Sequence, residues 1–250
     1  MPRATDGSMA MNPKTGLTTA GKSSRRPGSS QSRRMDDEGP DASFQSPPAS
    51  LEEPNISVLA GGTVVHRVHT LGSAGNAFNP CRGGPSRFAP IQNADGECVP
   101  SLYAATSLPA AIFETLFHDI PFEARRKTIP RSSVEARQHT VLQLRRDLRL
   151  ASLRAPALLK WRVAPAFVWG PLKQYLTTAL WAKAIHDQFE DVEGLIWTSR
   201  RCDPDSAVLF FGGRTTEDDL QAVSTRDGAD ASFLRDVREA GERAGVVIAE

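Results

Sequence analysis

No stretch of this chain holds the roughly 18 consecutive apolar residues that a membrane-spanning helix needs, and that class of protein is excluded. The N-terminus carries basic residues with no apolar segment behind them, so no secretory signal is expected. Charge of one sign is also missing. Lysine and arginine (30) balance aspartate and glutamate (29), and a formal net charge of +1 leaves no extended basic footprint for direct nucleic-acid binding. Cysteine is scarce: Cys81, Cys98 and Cys202 are scattered, form no CxxC pair, and predict neither a disulfide framework nor a zinc site. A reducing cytoplasm is the plain expectation. There is no GxGxxG after a strand, no Walker loop, no HExxH and no GxSxG.

What is present suits a globular protein with a polar tail: 40% hydrophobic and 24% charged residues in 250, enough for one large domain or two small ones. Residues 1–55 are rich in Ser, Gly, Pro, Arg and Asp and poor in large apolar side chains. Such a segment buries too little surface to offset its ordering entropy, so a disordered tail is predicted, with one folded domain over 56–250. Met9, Met11 and Met35 inside the tail leave open a later start of translation.

The first strand is predicted at Thr63–Val68, followed by a long loop, Leu71–Val99, with many Gly, Pro and Asn residues. Ser101–Ala105 reads as a buried strand, and Ser107 with Pro109 opens a helix whose apolar stripe is Phe113, Leu116, Phe117 and Ile120. A polar connection, Glu123–Ala136, leads to strands at Thr140–Leu144 and Leu148–Leu153. Residues 154–170 have no clear pattern. Pro171 starts a helix with Leu172, Tyr175, Ala179, Ala182, Ile185 and Phe189 on one face. Strands follow at Gly194–Ser199 and Ala207–Phe211, then a capping-box pattern at Thr216–Asp219 and a C-terminal amphipathic helix carrying Phe233, Leu234 and Val237. Strands that come singly and in pairs between helices predict an α+β fold: a mixed twisted sheet with packed helices.

Polar residues set among apolar ones are the candidates for chemistry. Glu114 has Ala110, Phe117 and His118 at helical-neighbour spacings, which puts a carboxylate on the shoulder of an apolar face, where it needs a partner. Arg67 and Tyr103 lie in strands, Arg87 adjoins Phe88 in the loop, Thr178 shares a flank of the long helix with Tyr175, and Ser199 ends a strand. Singly, each has a structural explanation: a buried ion pair between Arg67 and Glu114, a core tyrosine with a bonded hydroxyl, a turn serine. His66 and His69 fall on opposite faces of their strand, which argues against joint metal binding. His118 follows Glu114 by four residues, yet no third ligand is in sight, and a hydrogen-bonded core histidine is the simpler expectation.

Taken in order, the chain resembles the RES domain family, named for an Arg, a Glu and a Ser. The resemblance runs from about residue 62 to 214 and is carried by His66-Arg67-Val68, Gly84–Pro90, Leu102–Ala105, Ala111–His118, Tyr175–Thr178 with Trp181 and Ala182, Gly194–Arg200, and Val208–Phe210. It implies a fold similar to ADP-ribosyltransferases and an NAD+ phosphorylase or NAD+ glycohydrolase that releases nicotinamide. NAD+ is then a substrate, inorganic phosphate a co-substrate, and no cofactor or metal is implied. Glu114 is expected to stabilise the oxocarbenium-like ribose, Arg67 and Arg87 to hold pyrophosphate, and Tyr103, with Phe88 nearby, to face nicotinamide or ribose. Ser199 and Thr178 both claim the role of the family's serine. The resemblance further implies the toxin of a bacterial toxin–antitoxin pair with a cognate Xre-type antitoxin; a homodimer is compatible with the sequence. Other readings of the same scaffold are a protein ADP-ribosyltransferase and a non-enzymatic interaction domain.

Overall fold

The computed structural model describes residues 45–250. The tail predicted through residue 55 therefore lies, for residues 1–44, outside the described residues. Residues 45–55 are mostly exposed but are tied to the domain at several points. Leu51 is buried and its backbone N–H donates to Gln188 Oε1 (2.8 Å), while the indole N–H groups of Trp181 and Trp161 donate to the carbonyls of Gln45 and Glu52.

Strands β1 (Ile56–Leu59), β2 (Val64–Thr70), β5 (Ser101–Ala105), β7 (Arg137–Leu144), β8 (Leu148–Ser152), β9 (Gly194–Thr198), β10 (Ser206–Phe211) and β11 (Leu220–Asp227) form an eight-stranded sheet in the order β1-β8-β9-β10-β5-β2-β7-β11. Neighbours run antiparallel except β8 and β9, which are parallel. A parallel pair needs a crossover. Here it is α3 (Ala155–Lys160), α4 (Ala166–Trp169) and α5 (Tyr175–Gln188), the stretch that includes residues 154–170. The crossover covers one sheet face: Phe167, Trp181 and Ile185 pack on Leu195, Trp197 and Leu209. Helices α1 (Leu108–Thr115) and α6 (Ala231–Ala244) cover the neighbouring part through Phe113, Phe233 and Val237, joined by Phe117 just beyond the end of α1. The buried members of a third core are all strand residues, including Val65, Leu102, Leu142, Leu148, Ile196, Val208, Phe210 and Leu220 at the start of β11. A core without helices requires the mixed sheet to curl over itself, and β10 is accordingly buried along its whole length.

The helix ends follow local chemistry. Ser107 Oγ accepts from the Ala110 N–H (3.2 Å) and Pro109 occupies the first turn of α1, as expected. α6 is capped by Asp230 and closed by Gly245 at φ 66°, a conformation that favours glycine.

Several expectations need correction. The long loop contains a small hairpin, β3 (Ile91–Gln92) with β4 (Cys98–Val99), and Cys81 is disulfide-bonded to Cys98. The loop folds back on itself and brings together thiols that sequence spacing left apart. Glu123–Ala136 is not a plain connection: it holds β6 (Lys127–Pro130) and α2 (Arg131–Glu135), and β6 pairs in parallel with the C-terminal β12 (Val246–Ala249). The capping box at Thr216–Asp219 forms, but it caps a single 3-10 turn ahead of β11. Leu172 stays exposed in a 3-10 turn before α5. No helix among the described residues is long and apolar enough to cross a membrane.

Candidate active site

Four strands make the floor of a cleft. In register, His66 of β2 faces Ala105 of β5, Ala105 faces Ala207 of β10, and Ala207 faces Trp197 of β9. Opposed residues in neighbouring strands point to the same side, so histidine, two alanines and tryptophan form one line across the sheet. The two methyl side chains leave a depression between larger neighbours. Over it lies a cleft of about 420 Å³, walled by α1, by the loop segment around Arg87 and by the start of α5.

Glu114 projects into this cleft from the last turn of α1 and is half-buried. Its Oε1 accepts a hydrogen bond from Ser199 Oγ at 2.7 Å. Ser199 lies two residues beyond Trp197, where strand alternation returns it to the cleft side, and it is 1% exposed. The partner that the Glu114 carboxylate requires is thus a serine hydroxyl. The expected ion pair with Arg67 does not form.

Tyr103 lies two residues before Ala105 and lines the same cleft. Its hydroxyl accepts from the Phe88 N–H (2.9 Å) and bonds Ser86 Oγ (3.0 Å), and its ring meets Trp197 edge-on. Burial pushes the phenol up to about 12, so it stays neutral. Arg87 donates to the Gly170 carbonyl (3.1 Å) and lies 5.1 Å from the centre of the Tyr175 ring. That single bond leaves donors of the guanidinium fork for a ligand. Gly170 suits this place, because a Cβ would fall 2.7 Å from the Ala166 carbonyl oxygen, a backbone atom that cannot swing aside.

A narrower cleft of about 180 Å³ adjoins the first, sharing Arg87, Glu114 and Tyr175 and adding Arg200 and Arg201. Both added guanidiniums lie over the Phe122 ring, at 4.7 and 4.6 Å. Burial and the Arg200 charge lower the Arg201 pKa, against the attraction of Glu114 and Asp119. His118 is hydrogen-bonded as expected, Nε2 to Tyr175 Oη at 2.9 Å and Nδ1 to Asp119 Oδ1 at 2.8 Å, though at the cleft wall rather than in the core. Among the described residues no three His, Cys, Asp or Glu side chains gather as a metal site.

The structure thus brings Glu114, Ser199, Tyr103 and Arg87 together, and separates the remaining three. Arg67 is directed to the opposite face of β2 from His66 and does not line the cleft; its Nη1 donates to the carbonyls of Gly75 and Ala77, both at 2.7 Å. Burial brings it down to about 10, which still leaves it charged at neutral pH. Thr178 is fully buried, and its hydroxyl bonds the Arg87 and Tyr175 carbonyls, so it holds the backbone of Arg87 and does not reach the cleft. Phe88 is wholly enclosed against Trp197 and Phe167. Sequence reasoning missed Arg200, Arg201 and His66 as cleft groups. The two arginines directly follow Ser199, which was the available signal.

A family profile for the RES domain matches residues 64–233. The chain belongs to the RES domain family. This RES domain takes in the whole cleft floor, Glu114, Ser199 and all three cleft arginines. Among solved structures it is similar to a chain in the crystal structure of the M. tuberculosis MbcT–MbcA toxin–antitoxin complex, with a TM-score of 0.52 and 15% identity over 73% of this chain and 92% of that one. The likeness bears out the α+β fold, a mixed twisted sheet with packed helices. No curated protein matches the chain.

Proposed function

We propose that this RES domain cleaves the bond between nicotinamide and ribose in NAD+, passes the ADP-ribosyl group to inorganic phosphate or water, and serves as the toxin of a toxin–antitoxin pair. The observation that carries the reading is Glu114, a carboxylate held by Ser199 Oγ at 2.7 Å over a cleft edged by Tyr103, Trp197 and arginines. As the C–N bond breaks, its electron pair goes to the pyridine nitrogen and nicotinamide leaves neutral, so departure needs no general acid. Positive charge builds on the ribose, and a fixed carboxylate stabilises it. The Ser199 bond keeps one carboxylate oxygen oriented and leaves the other for ribose. Trp197 and Tyr103 supply an apolar, aromatic wall for the pyridine ring. Arg87, with Arg200 and Arg201 in the adjoining cleft, replaces the expected Arg67–Arg87 pair as the pyrophosphate clamp, and Arg67 acts as the anchor of the loop. A cognate antitoxin closing this cleft is the partner that the toxin–antitoxin relative suggests.

Purified protein incubated with NAD+, with and without phosphate, is expected to release nicotinamide; no release in either condition overturns the reading. Product analysis then distinguishes ADP-ribose from its 1″-phosphate, and ADP-ribosylated protein in a lysate would point to transfer instead. Glu114→Gln is expected to lower turnover by about 100-fold or more with the melting temperature kept, and Ser199→Ala by about ten-fold through a less oriented carboxylate.

A further inference from the structure

His66 is a cleft residue that the chemistry above leaves unused, and its protonation is settled by a chain of hydrogen bonds behind it. Arg226 on β11 places Nη2 3.0 Å from His139 Nδ1, and His139 Nε2 lies 3.0 Å from His66 Nδ1. A guanidinium only donates, so His139 Nδ1 must accept. The His139 proton is then on Nε2 and is donated to His66 Nδ1. That nitrogen must also accept, which leaves the His66 proton on Nε2. The two imidazole planes lie within 10°, which is compatible with an in-plane N–H···N bond, and the ring of Phe233 stacks on His139 at 5.6 Å. Protonating either ring would add a second cation beside Arg226 and break one of the two bonds. Burial together with Arg226 keeps both imidazoles below their ordinary range.

We propose that Arg226 and His139 lock His66 as a neutral Nε2–H donor, aimed from the cleft floor at an uncharged oxygen in the nicotinamide riboside half of the substrate. The inference rests on the NAD+ reading above for the ligand, whereas the locked tautomer stands without it. His66 begins the row that continues through Ala105 and Ala207 to Trp197, so its free edge borders the same depression that would seat the pyridine ring and its ribose. The shared chemistry is an oxygen acceptor, which NAD+ offers both in its carboxamide carbonyl and in its ribose hydroxyls. A donor without charge suits this place, because a cation on the floor would oppose both the pyridinium and the charge that develops on ribose. His66 is a positioning group with no proton to exchange, since the relay ends on an arginine.

The tautomer is read by nitrogen-15 NMR of the full-length protein. His66 and His139 are both expected as neutral Nε2–H forms, and an Nδ1–H or doubly protonated His66 at pH 7 overturns the lock. Arg226 also pairs with Asp236 (2.8 Å) and bonds Ser232, so His139→Phe serves beside Arg226→Met as the variant that cuts the relay. Each is expected to give mixed His66 tautomers, and an unchanged spectrum in both overturns the lock. With NAD+, His66→Phe is expected to raise KM about ten-fold with kcat within about three-fold, and His66→Gln, which offers an N–H near the Nε2 position, to recover most of the loss. An analogue with sulfur in place of the carboxamide oxygen distinguishes the sources: if its KM no longer responds to His66→Phe, the carboxamide is the acceptor, and if the response persists, a ribose hydroxyl is. Wild-type turnover with KM unchanged in His66→Phe overturns this inference and leaves the NAD+ reading standing, whereas absent turnover in the wild type overturns that reading and leaves the tautomer measurement decisive for the lock.

Discussion

At the scale of single residues, the cleft is defined by which polar groups are already satisfied. Tyr103 looks like a ligand-facing phenol, yet its hydroxyl is engaged by Ser86 and the Phe88 N–H, so its ring faces the cleft and its polar end holds the loop. Glu114 keeps one oxygen on Ser199 and presents the other. The histidines behind the floor make stability depend on pH in a definite direction. Burial, with Arg67 and Arg137 nearby, lowers His69 to about 4; burial, with His66, Arg226 and His69 nearby, lowers His139 to about 3; both compare with 6.5 for an ordinary histidine. Below 6.5 the unfolded chain binds protons that the folded chain refuses, so stability is complete above that value and declines as pH falls toward 3 to 4. Melting temperature is therefore expected to drop steadily from pH 7 to pH 5, before most carboxylates titrate, and His139→Gln is expected to flatten the slope. A melting temperature that is flat or rises over that interval contradicts the assignment.

At the scale of elements, the loop between β2 and β5 is the piece on which the site depends. It carries Ser86 and Arg87, and its attachments include the Arg67 bonds to Gly75 and Ala77, the Cys81–Cys98 disulfide, the Thr178 bond to the Arg87 carbonyl, and the Tyr103 bond to the Phe88 N–H. Gly75 lies so close to β7 that a Cβ would sit 2.3 Å from Thr140 Cγ2, so the loop is seated against the sheet. Arg67→Met removes two charge-assisted hydrogen bonds and is expected to cost about 2–4 kcal/mol in denaturant unfolding. It is also expected to raise the KM for NAD+ by letting Arg87 move, while leaving kcat closer to wild type than Glu114→Gln does. An Arg67 variant with normal stability and a kcat loss as deep as that of Glu114→Gln would return Arg67 to the chemistry. Part of this element was legible from sequence: a long loop inside a domain signals function. Its direction was not, because alternation along β2 gives two faces and only the curl of the sheet decides which one is the cleft.

At the scale of the whole molecule, the crossover α3–α5 and the curled sheet enclose the site from two sides, and residues 45–55 brace the crossover from outside. Lys160 Nζ and the Trp161 indole bond the carbonyls of Glu53 and Glu52, and Leu51 is buried against the same cluster. A chain beginning at residue 56 is expected to melt several degrees below one beginning at residue 45, since it loses a buried leucine and several hydrogen bonds. Equal melting temperatures would show that the bracing adds nothing. Composition pointed to a polar tail through residue 55, but a short apolar anchor such as Leu51 carries little weight in composition and much in packing.

The sequence by itself determined the alternation of strands and helices, the capped start of α1 and the ordered motifs of a RES domain, because local propensity and spacing along the chain decide these. It also placed Glu114 on the shoulder of a helix, where a carboxylate needs a partner. Tertiary structure alone decided that the partner is Ser199 rather than Arg67, that Cys81 meets Cys98, and that Arg200 and Arg201 join Arg87 at the cleft. It alone set His66, Ala105, Ala207 and Trp197 in one row. Each of these joins residues far apart along the chain, on strands, a helix or loops, and only the packing of those elements on a sheet whose order and register are fixed by burial brings them together.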